Sequence, residues 1–170
     1  MIARPVRLAI ATGVAAALCF LGAWSPASAM TVPTLELRTS DGAIMRLADL
    51  RGRVVLIDFW ASWCPPCKAS FPALDALYRD LHKSGLEVLA VNVDERPRDA
   101  DAFLAAHPHT MPVLLDPKGA AATAFNIRGM PSSVILDRAG DIRFTHMGYT
   151  ERTLESMRRE LSTLLSERTR

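Results

Sequence analysis

The chain of 170 residues is 49% hydrophobic and 22% charged with a formal net charge of +2, a length and composition that suit one domain with a substantial core. Two arginines and no acidic residue lie within residues 1–29, so residues 30–170 carry 18 basic and 18 acidic side chains. Because this part is neutral, the charge excludes nucleic acid as a partner and gives no reason to expect an acidic lipid surface.

Residues 1–29 have the order of a secretory signal peptide. Two arginines precede an uncharged run from Leu8 to Trp24, and the segment ends in Ala-Ser-Ala. This order predicts cleavage after Ala29 and export to the periplasm. The alternative is an uncleaved anchor, for which the apolar run is short. We therefore expect residues 30–170 to form the folded domain and to reach a membrane only through a retained leader.

The cysteine count limits the class of protein. The chain has three cysteines, of which Cys19 lies in the leader, so the exported domain keeps only Cys64 and Cys67. A single pair with two residues between is too few for a disulfide-rich scaffold, which needs several bridges. The pair could instead bind a metal, hold a loop together or exchange electrons.

The first elements of the domain follow from turn signals and apolar runs. Asp41-Gly42 lies between two strand-like segments and predicts a β-hairpin. The run 54–60 is apolar on both faces, which is typical of an interior strand. After Cys64 the apolar residues recur every three to four positions, which predicts a helix that ends at Gly85.

The second half of the chain predicts an α/β plan with a mixed sheet. The expected elements are two strands, two short helices, a hairpin and a final helix with one apolar face. They are placed at a strand 86–94, a helix 98–107, a strand near 113–115, a helical turn within 119–126, a hairpin turning at residues 138–140, and a helix that contains Leu154, Met157, Leu161, Leu164 and Leu165.

Cys64 and Cys67 stand where the buried strand gives way to the helix. The unpaired N–H groups and the positive dipole end of a helix start favour thiolate over thiol. We therefore expect Cys64, on the exposed lip of the turn, to attack a substrate disulfide, and Cys67 to resolve the resulting mixed disulfide. Pro65 and Pro66 cost little at a helix start and stiffen the loop between the thiols.

The segment VVLIDFWASWCPPC resembles thioredoxin, and more closely the exported thioredoxin-like reductases of the TlpA/ResA type. Pro72 is similar to the proline that kinks the active-site helix of these proteins. The resemblance covers essentially residues 30–170. It implies a thioredoxin fold, with a mixed central sheet flanked by helices, and a redox disulfide between Cys64 and Cys67.

The segment GMPSSVILD resembles the cis-proline loop of the same family. This implies that Pro131 follows a cis peptide bond, of the kind usually retained in tight turns, and that Met130 faces the bound substrate. We also expect Trp63 at the active-site surface, where an aromatic ring can help to bind an unfolded substrate segment, and Trp60 in the core.

Two features go beyond plain thioredoxin and resemble the TlpA-type variant. One is the N-terminal β-hairpin, and the other is the long interval from Cys67 to Pro131. We place an added helix and strand in this interval, at residues 95–119. Partner choice could lie in this insert, because binding residues are often found on such connecting segments.

A base near the inner thiol would help it to lose a proton. Asp58 lies in the apolar strand, where burial would raise its pKa toward that of a thiol, and the resemblance aligns it with the buried aspartate of thioredoxin. Many TlpA-type relatives carry Asn there and use a glutamate after the next strand, which aligns with Glu95. We predict Asp58 as the main proton acceptor and Glu95 as the second candidate. The alternatives are a structural buried acid at Asp58 and a solvated turn at Asp94 and Glu95.

Three other functions compete with reduction. We predict no metal, and a copper- or zinc-binding module is one alternative. Zinc takes four ligands, of which the cysteine pair supplies two. The His and Met residues in 107–111 and 145–147 suit copper. A purely structural disulfide across so short a loop would stabilise the fold little. A disulfide oxidase or isomerase stays open because the sequence does not fix the reduction potential.

The resemblance implies a protein-disulfide reductase that serves cytochrome c maturation or the assembly of copper centres. Its expected partners are oxidised periplasmic client proteins and a membrane dithiol reductase that donates electrons. No organic cofactor is implied. We expect the domain to act as a monomer.

Overall fold

A seven-stranded mixed sheet lies at the centre of the protein, in a computed structural model that describes residues 35–167. The leader predicted for residues 1–29 lies outside the described residues. The strands are β1 (Glu36–Thr39), β2 (Ile44–Arg46), β3 (Val54–Trp60), β4 (Leu86–Asn92), β5 (Val113–Leu115), β6 (Ser132–Leu136) and β7 (Ile142–Met147). The helices are α1 (Pro65–Leu81), α2 (Pro97–Ala106), α3 (Ala120–Ala124) and α4 (Glu151–Ser166), with single 3-10 turns at Leu47–Leu50 and His82–Ser84. Between residues 35 and 167, no helix has the length and apolar character needed to cross a bilayer.

The sheet has the strand order β2-β1-β5-β4-β3-β6-β7. Strand β3 runs parallel to β4 and antiparallel to β6. Every residue of β3 and β4 is buried, as expected for interior strands that are covered on both faces. The predicted α/β plan with a mixed sheet is confirmed.

Apolar clusters cover both faces of the sheet. On one face, residues such as Leu56 of β3 pack with Leu74 of α1 and Leu161 of α4. On the other face, Ile57 packs with Ala121 of α3 and with the N-terminal hairpin. Alternate residues of β3 therefore belong to different clusters, because successive side chains of a strand point to opposite faces.

Helix α1 presents the cysteine pair at one end of the sheet. It begins at Pro65, where a proline is tolerated because the first N–H groups of a helix have no partner within it. Pro72 lies in the helix interior. The helix ends at Leu81 and the chain turns at Gly85, whose φ of 103° favours glycine. The predicted helix is confirmed, but its α-helical part ends at Leu81, and a 3-10 turn at His82–Ser84 carries the chain to the predicted stop at Gly85.

The N-terminal hairpin and the insert form one structural unit. The predicted insert at residues 95–119 contains helix α2 and strand β5. Strand β5 pairs in parallel with β4, with Val113 opposite Ala90, and antiparallel with β1, with Leu115 opposite Arg38. The hairpin therefore joins the sheet through β5.

Strand β4 ends two residues earlier than the pattern predicted. The backbone N–H of Asp94 donates to Asn92 Oδ1 at 3.0 Å, and Asn92 Nδ2 donates to Asp94 Oδ2 at 2.8 Å. Asn and Asp side chains often capture backbone groups in this way and compete with the strand ladder. The strand consequently stops at Asn92.

Candidate active site

Cys64 and Cys67 form a disulfide at the start of α1, and their Cα atoms lie 5.3 Å apart. Cys64 is the residue that precedes the helix, and its Sγ accepts a hydrogen bond from the backbone N–H of Cys67 at 3.3 Å. This N–H is one of the donors that a helix start leaves without a partner in the helix. Together with the helix dipole it would stabilise a negative charge on the Cys64 sulfur after reduction.

Both cysteines are almost fully buried in the oxidised protein. Cys64 keeps 3% of its surface exposed and Cys67 keeps none. The order of exposure is the predicted one, but Cys64 does not stand on an exposed lip, because the bond to Cys67 and the N–H contact turn its sulfur toward the helix. The neighbouring Trp63, Pro65 and Pro66 are the exposed residues of this turn.

The two tryptophans near the disulfide have the predicted locations. Trp60 is buried, and its ring packs against Phe71 and Phe103 with centroid distances of 5.1 and 4.7 Å. Trp63 is 68% exposed. The Trp60 ring belongs to the apolar cluster that contains both cysteines, whereas the Trp63 ring is available to a partner.

Asp58 is a buried acid on the same side of the sheet as the disulfide. Its side chain lies on the same face of β3 as those of Leu56 and Trp60, which belong to the apolar cluster that contains Cys64 and Cys67. Burial raises the pKa of Asp58 to about 7, and a hydrogen bond from Ser133 opposes this rise. The carboxyl can therefore gain or lose a proton near neutral pH.

The loop of residues 129–131, which we call the cis-proline loop, leads into β6. Its Met130–Pro131 peptide bond is cis, as the resemblance implied. Pro131 is buried, and Met130 is half-buried and packs against the apolar cluster that contains the cysteines. The carbonyl of Pro131 accepts a hydrogen bond from Gly148, whereas the backbone of Met130 makes no hydrogen bond to another residue of the range 35–167.

Two acids follow β4, and the structure separates their roles. Glu95 is exposed to solvent. Asp94 is buried and accepts hydrogen bonds from the backbone N–H of Ser62 and from the side chain of Asn92. The interpretation of both acids as a solvated turn is therefore wrong for Asp94, because its carboxylate is engaged by the turn that precedes the disulfide.

The histidines considered as metal ligands bond to other groups. His107 Nδ1 lies 2.7 Å from the carbonyl of Phe103, His109 Nδ1 lies 3.0 Å from the carbonyl of His107, and His146 Nε2 lies 2.7 Å from Glu160. In the part of the chain from 35 to 167, no three His, Cys, Asp or Glu side chains come together as a metal site would require.

Sequence reasoning missed two residues of the site. Ser133 bonds to Asp58, and Asp94 holds the turn before Cys64. A signal for Ser133 was present, since polar Ser132 and Ser133 open a strand whose next three residues are apolar. The pattern did not show which serine would face the acid.

A disulfide at a helix start, a buried acid on the adjacent strand and a cis-proline loop, set on this mixed sheet, define a thiol-disulfide oxidoreductase with a thioredoxin-like fold. A family profile described as Redoxin matches residues 27–165. The chain belongs to the Redoxin family, and within it to the TlpA/ResA type.

Relatives and solved structures of this class cover most of the chain. Thiol-disulfide oxidoreductase ResA of Geobacillus kaustophilus (strain HTA426) is 32% identical over 133 residues, which are 75% of this chain and 76% of that protein. Thioredoxin-like protein YneN of Bacillus subtilis (strain 168) is 35% identical over 119 residues, or 68% and 69% of the two chains. A crystal structure from Chlorobium tepidum, assigned to thiol:disulfide interchange protein DsbE, has a TM-score of 0.77 and 36% identity and covers 79% of this chain and 95% of its own. The exposed lipoprotein thioredoxin Etrx1 of Streptococcus pneumoniae has a TM-score of 0.70 and 29% identity, over 78% of this chain and 100% of its own.

Proposed function

We propose that this thiol-disulfide oxidoreductase is exported and that it reduces disulfide bonds in oxidised client proteins of the periplasm. The observation that carries the proposal is the Cys64–Cys67 disulfide at the start of α1, on the same side of the sheet as buried Asp58. The signal-peptide pattern of residues 1–29 supports export. We assign the clients to cytochrome c maturation or to copper-site assembly, and the electron donor is a membrane dithiol reductase.

The first step is the attack of Cys64 on the client. In the reduced protein the Cys64 thiolate is stabilised by the N–H of Cys67 and by the start of α1. A bond forms between the Cys64 sulfur and one client sulfur while the client disulfide breaks, and the second client sulfur leaves as a thiolate. The product is a mixed disulfide between the enzyme and its client.

The second step releases the client. The Cys67 thiol loses its proton, and the thiolate attacks the Cys64 sulfur. The bond between Cys64 and Cys67 forms, the bond to the client breaks, and the client leaves as a thiolate that takes up a proton. Two electrons have then passed from the enzyme dithiol to the client disulfide, and the enzyme is left in the oxidised form described above.

Asp58 is the proposed acceptor of the Cys67 proton. Its carboxyl is buried, faces the cluster that holds Cys67, and has a pKa of about 7. A base whose pKa lies near the working pH combines a useful ionised fraction with a useful driving force. Glu95 is the second candidate, but its exposed side chain lies outside the buried cluster that contains the thiol.

The client binds across the exposed turn and the cis-proline loop. Trp63, Pro65 and Pro66 supply an exposed apolar rim beside the disulfide. The backbone of Met130 is free to pair with an extended client segment, since it makes no hydrogen bond to another residue within 35–167. Pro131, buried beneath this segment, shapes the floor of the groove.

A trapping experiment tests the proposal. Cys67→Ser removes the resolving thiol, so the reduced variant should accumulate mixed disulfides with a protein that carries an accessible disulfide, and these should appear as adducts on a non-reducing gel. The matched control is Cys64→Ser, which should form no adduct and reduce no client. Adducts formed equally by Cys64→Ser would contradict the assignment of the nucleophile.

A further inference from the structure

Ser133 makes a direct contact with the buried acid. Its Oγ donates a hydrogen bond to Asp58 Oδ1 at 2.6 Å, and the exposed fractions of the two residues are 5% and 2%. The contact follows from the register of the sheet, in which Asp58 on β3 lies directly opposite Ser133 on β6. Ser133 also lies two residues after Pro131. The strand that begins directly after the cis-proline loop therefore supplies the hydrogen-bond donor to the acid.

In the described part of the chain, the other side chains around Asp58 make no hydrogen bond to its carboxyl. The residue opposite it on β4 is Ala90, and the residues before and after it on the same face of β3 are Leu56 and Trp60. These side chains cannot stabilise a carboxylate, apart from the indole N–H of Trp60, which makes no hydrogen bond. Among residues 35–167, Ser133 makes the sole hydrogen bond to the carboxyl.

The titratable groups on the surrounding elements are few. On α1 the thiol of Cys67 belongs to the apolar cluster of this face and Tyr78 packs against that cluster, whereas the buried carboxyl of Asp75 bonds to the insert. On β7 it is His146, which lies opposite Ser133 and pairs with Glu160 of α4. The buried residues of α4 are apolar. No salt bridge within residues 35–167 involves Asp58, so a serine hydroxyl takes the place of a charged partner.

We infer that Ser133 is a positioning residue for proton transfer, and that its hydroxyl orients the Asp58 carboxyl and stabilises the carboxylate that accepts the Cys67 proton. This inference rests on the proposed role of Asp58. A carboxylate has two oxygen atoms, and Ser133 occupies Oδ1, which leaves Oδ2 for the proton. A hydrogen bond donated to the charged form favours that form, whereas burial favours the neutral acid.

The step is balanced without a further reactant. In the mixed disulfide, the Cys67 proton passes to Asp58 Oδ2 as the Cys67 sulfur attacks Cys64 and the client thiolate leaves. Asp58 later returns the proton to the departing thiolate or to solvent. Ser133 keeps its own proton throughout and maintains its hydrogen bond to Oδ1.

Two-phase thiol release measures this step directly. The reduced protein is mixed with one equivalent of dithiobis(nitrobenzoate), which itself contains a disulfide. Attack by Cys64 releases the first coloured thiolate, and attack by Cys67 on the mixed disulfide releases the second. The second phase therefore reports the resolving step, and its rate in the unchanged protein should rise with pH around a midpoint set by Asp58.

Ser133→Ala should leave the first phase unchanged and slow the second at pH 7 by about fivefold, with its midpoint about one pH unit higher. The midpoint rises because the carboxylate loses the donor that stabilised it. Ser133→Thr keeps the hydroxyl and should restore the profile, whereas Ser133→Val has nearly the same shape as Thr and should not. The Thr and Val pair also keeps the test decisive if the alanine variant folds poorly.

Ser132→Ala is the matched control, because this neighbouring serine lies on the opposite face of β6 and donates to the carbonyl of Gly129 at 2.7 Å. It should leave the midpoint unchanged. An unshifted midpoint in both Ser133→Ala and Ser133→Val would overturn the inference. Asp58→Asn separates the two proposals: if it leaves the second phase unchanged, the role of Asp58 fails, and if it slows that phase while the Ser133 variants do not, only the role of Ser133 fails.

Discussion

The carboxylate of Asp94 holds the backbone N–H of Ser62, with distances of 3.2 Å from this nitrogen to Oδ1 and 3.1 Å to Oδ2. Ser62 lies two residues before Cys64, so the end of β4 is tied to the turn that carries the disulfide. Asp94 is itself fixed by the amide of Asn92 at 2.8 Å. This chain of contacts sets the position of the nucleophile from outside α1.

Asp94→Ala should therefore destabilise the fold. The change leaves the N–H of Ser62 without its partner in a partly buried turn, so the free energy of unfolding should fall by about 1 to 3 kcal/mol. Urea denaturation of the oxidised protein measures this loss. The matched control is Glu95→Ala, which removes the adjacent exposed acid and should change the same free energy by no more than about 0.5 kcal/mol. Equal losses in the two variants would show that the tie to Ser62 carries no stability.

Asp58 should make the protein less stable as pH rises. Its pKa is about 7 in the folded protein, above its usual value, so between about pH 4 and pH 7 the folded state holds a proton that the unfolded state has released. Stability from this group is thus fully present below that range and is lost as pH rises through 7. Asp58→Asn removes this dependence.

The unfolding free energy of Asp58→Asn, relative to that of the unchanged protein, should rise by about 2 to 3 kcal/mol from pH 5 to pH 8. Urea denaturation of both oxidised proteins at the two pH values measures this gain. Taking the difference between the proteins cancels the titration of groups that they share, such as Glu87, whose pKa is also raised by burial. A difference that stays constant from pH 5 to pH 8 would mean that Asp58 does not titrate as a buried acid.

Asp75 on α1 should be a strong support of the insert. Its Oδ1 accepts hydrogen bonds from the backbone N–H groups of Thr110 and Met111 at 2.6 and 2.9 Å and from the Thr110 hydroxyl at 3.0 Å. Although burial alone would raise the pKa of Asp75, these hydrogen bonds and Arg79 together hold it below its usual value. The contribution of this ionised group to stability is therefore present above the unfolded pKa and is lost as pH falls through the lower folded pKa.

Asp75→Ala should lower the free energy of unfolding at pH 7 by about 2 to 4 kcal/mol, because two backbone donors lose their acceptor. The same denaturation assay applies. Asp80→Ala, at an exposed position on the same helix, is the control and should have an effect within about 0.5 kcal/mol. If the loss in Asp75→Ala matched that control, the hydrogen bonds to the insert would contribute no net stability.

The regular elements could be predicted because their signals are local. The apolar run 54–60, the helical spacing after Cys64 and the Asp41-Gly42 turn each depend on neighbouring residues. The pairing of β1 with β5 could not be predicted, since it depends on how two distant segments meet at the edge of the sheet. The early end of β4 was missed because the side chains of Asn92 and Asp94 replace the strand ladder.

The site was predictable where a residue type alone carries the chemistry. The two cysteines and the acid in an apolar strand stand out in the sequence. The partner of Asp58 did not, because a shift of one residue in the register of β6 would bring Ser132 rather than Ser133 opposite the acid. The burial of Cys64 was also missed, since it depends on the turn of the sulfur toward the helix.

The reduction potential of the Cys64–Cys67 pair decides whether the protein reduces or oxidises the disulfides of its clients. The domain from Met30 onward would be equilibrated with glutathione or dithiothreitol buffers of known potential, and the oxidised fraction would be measured by alkylation of the free thiols. For a reductase of client disulfides we expect a value close to that of thioredoxin, about −270 mV. A value near about −120 mV would identify an oxidant that inserts disulfides and would contradict the proposed direction of electron flow.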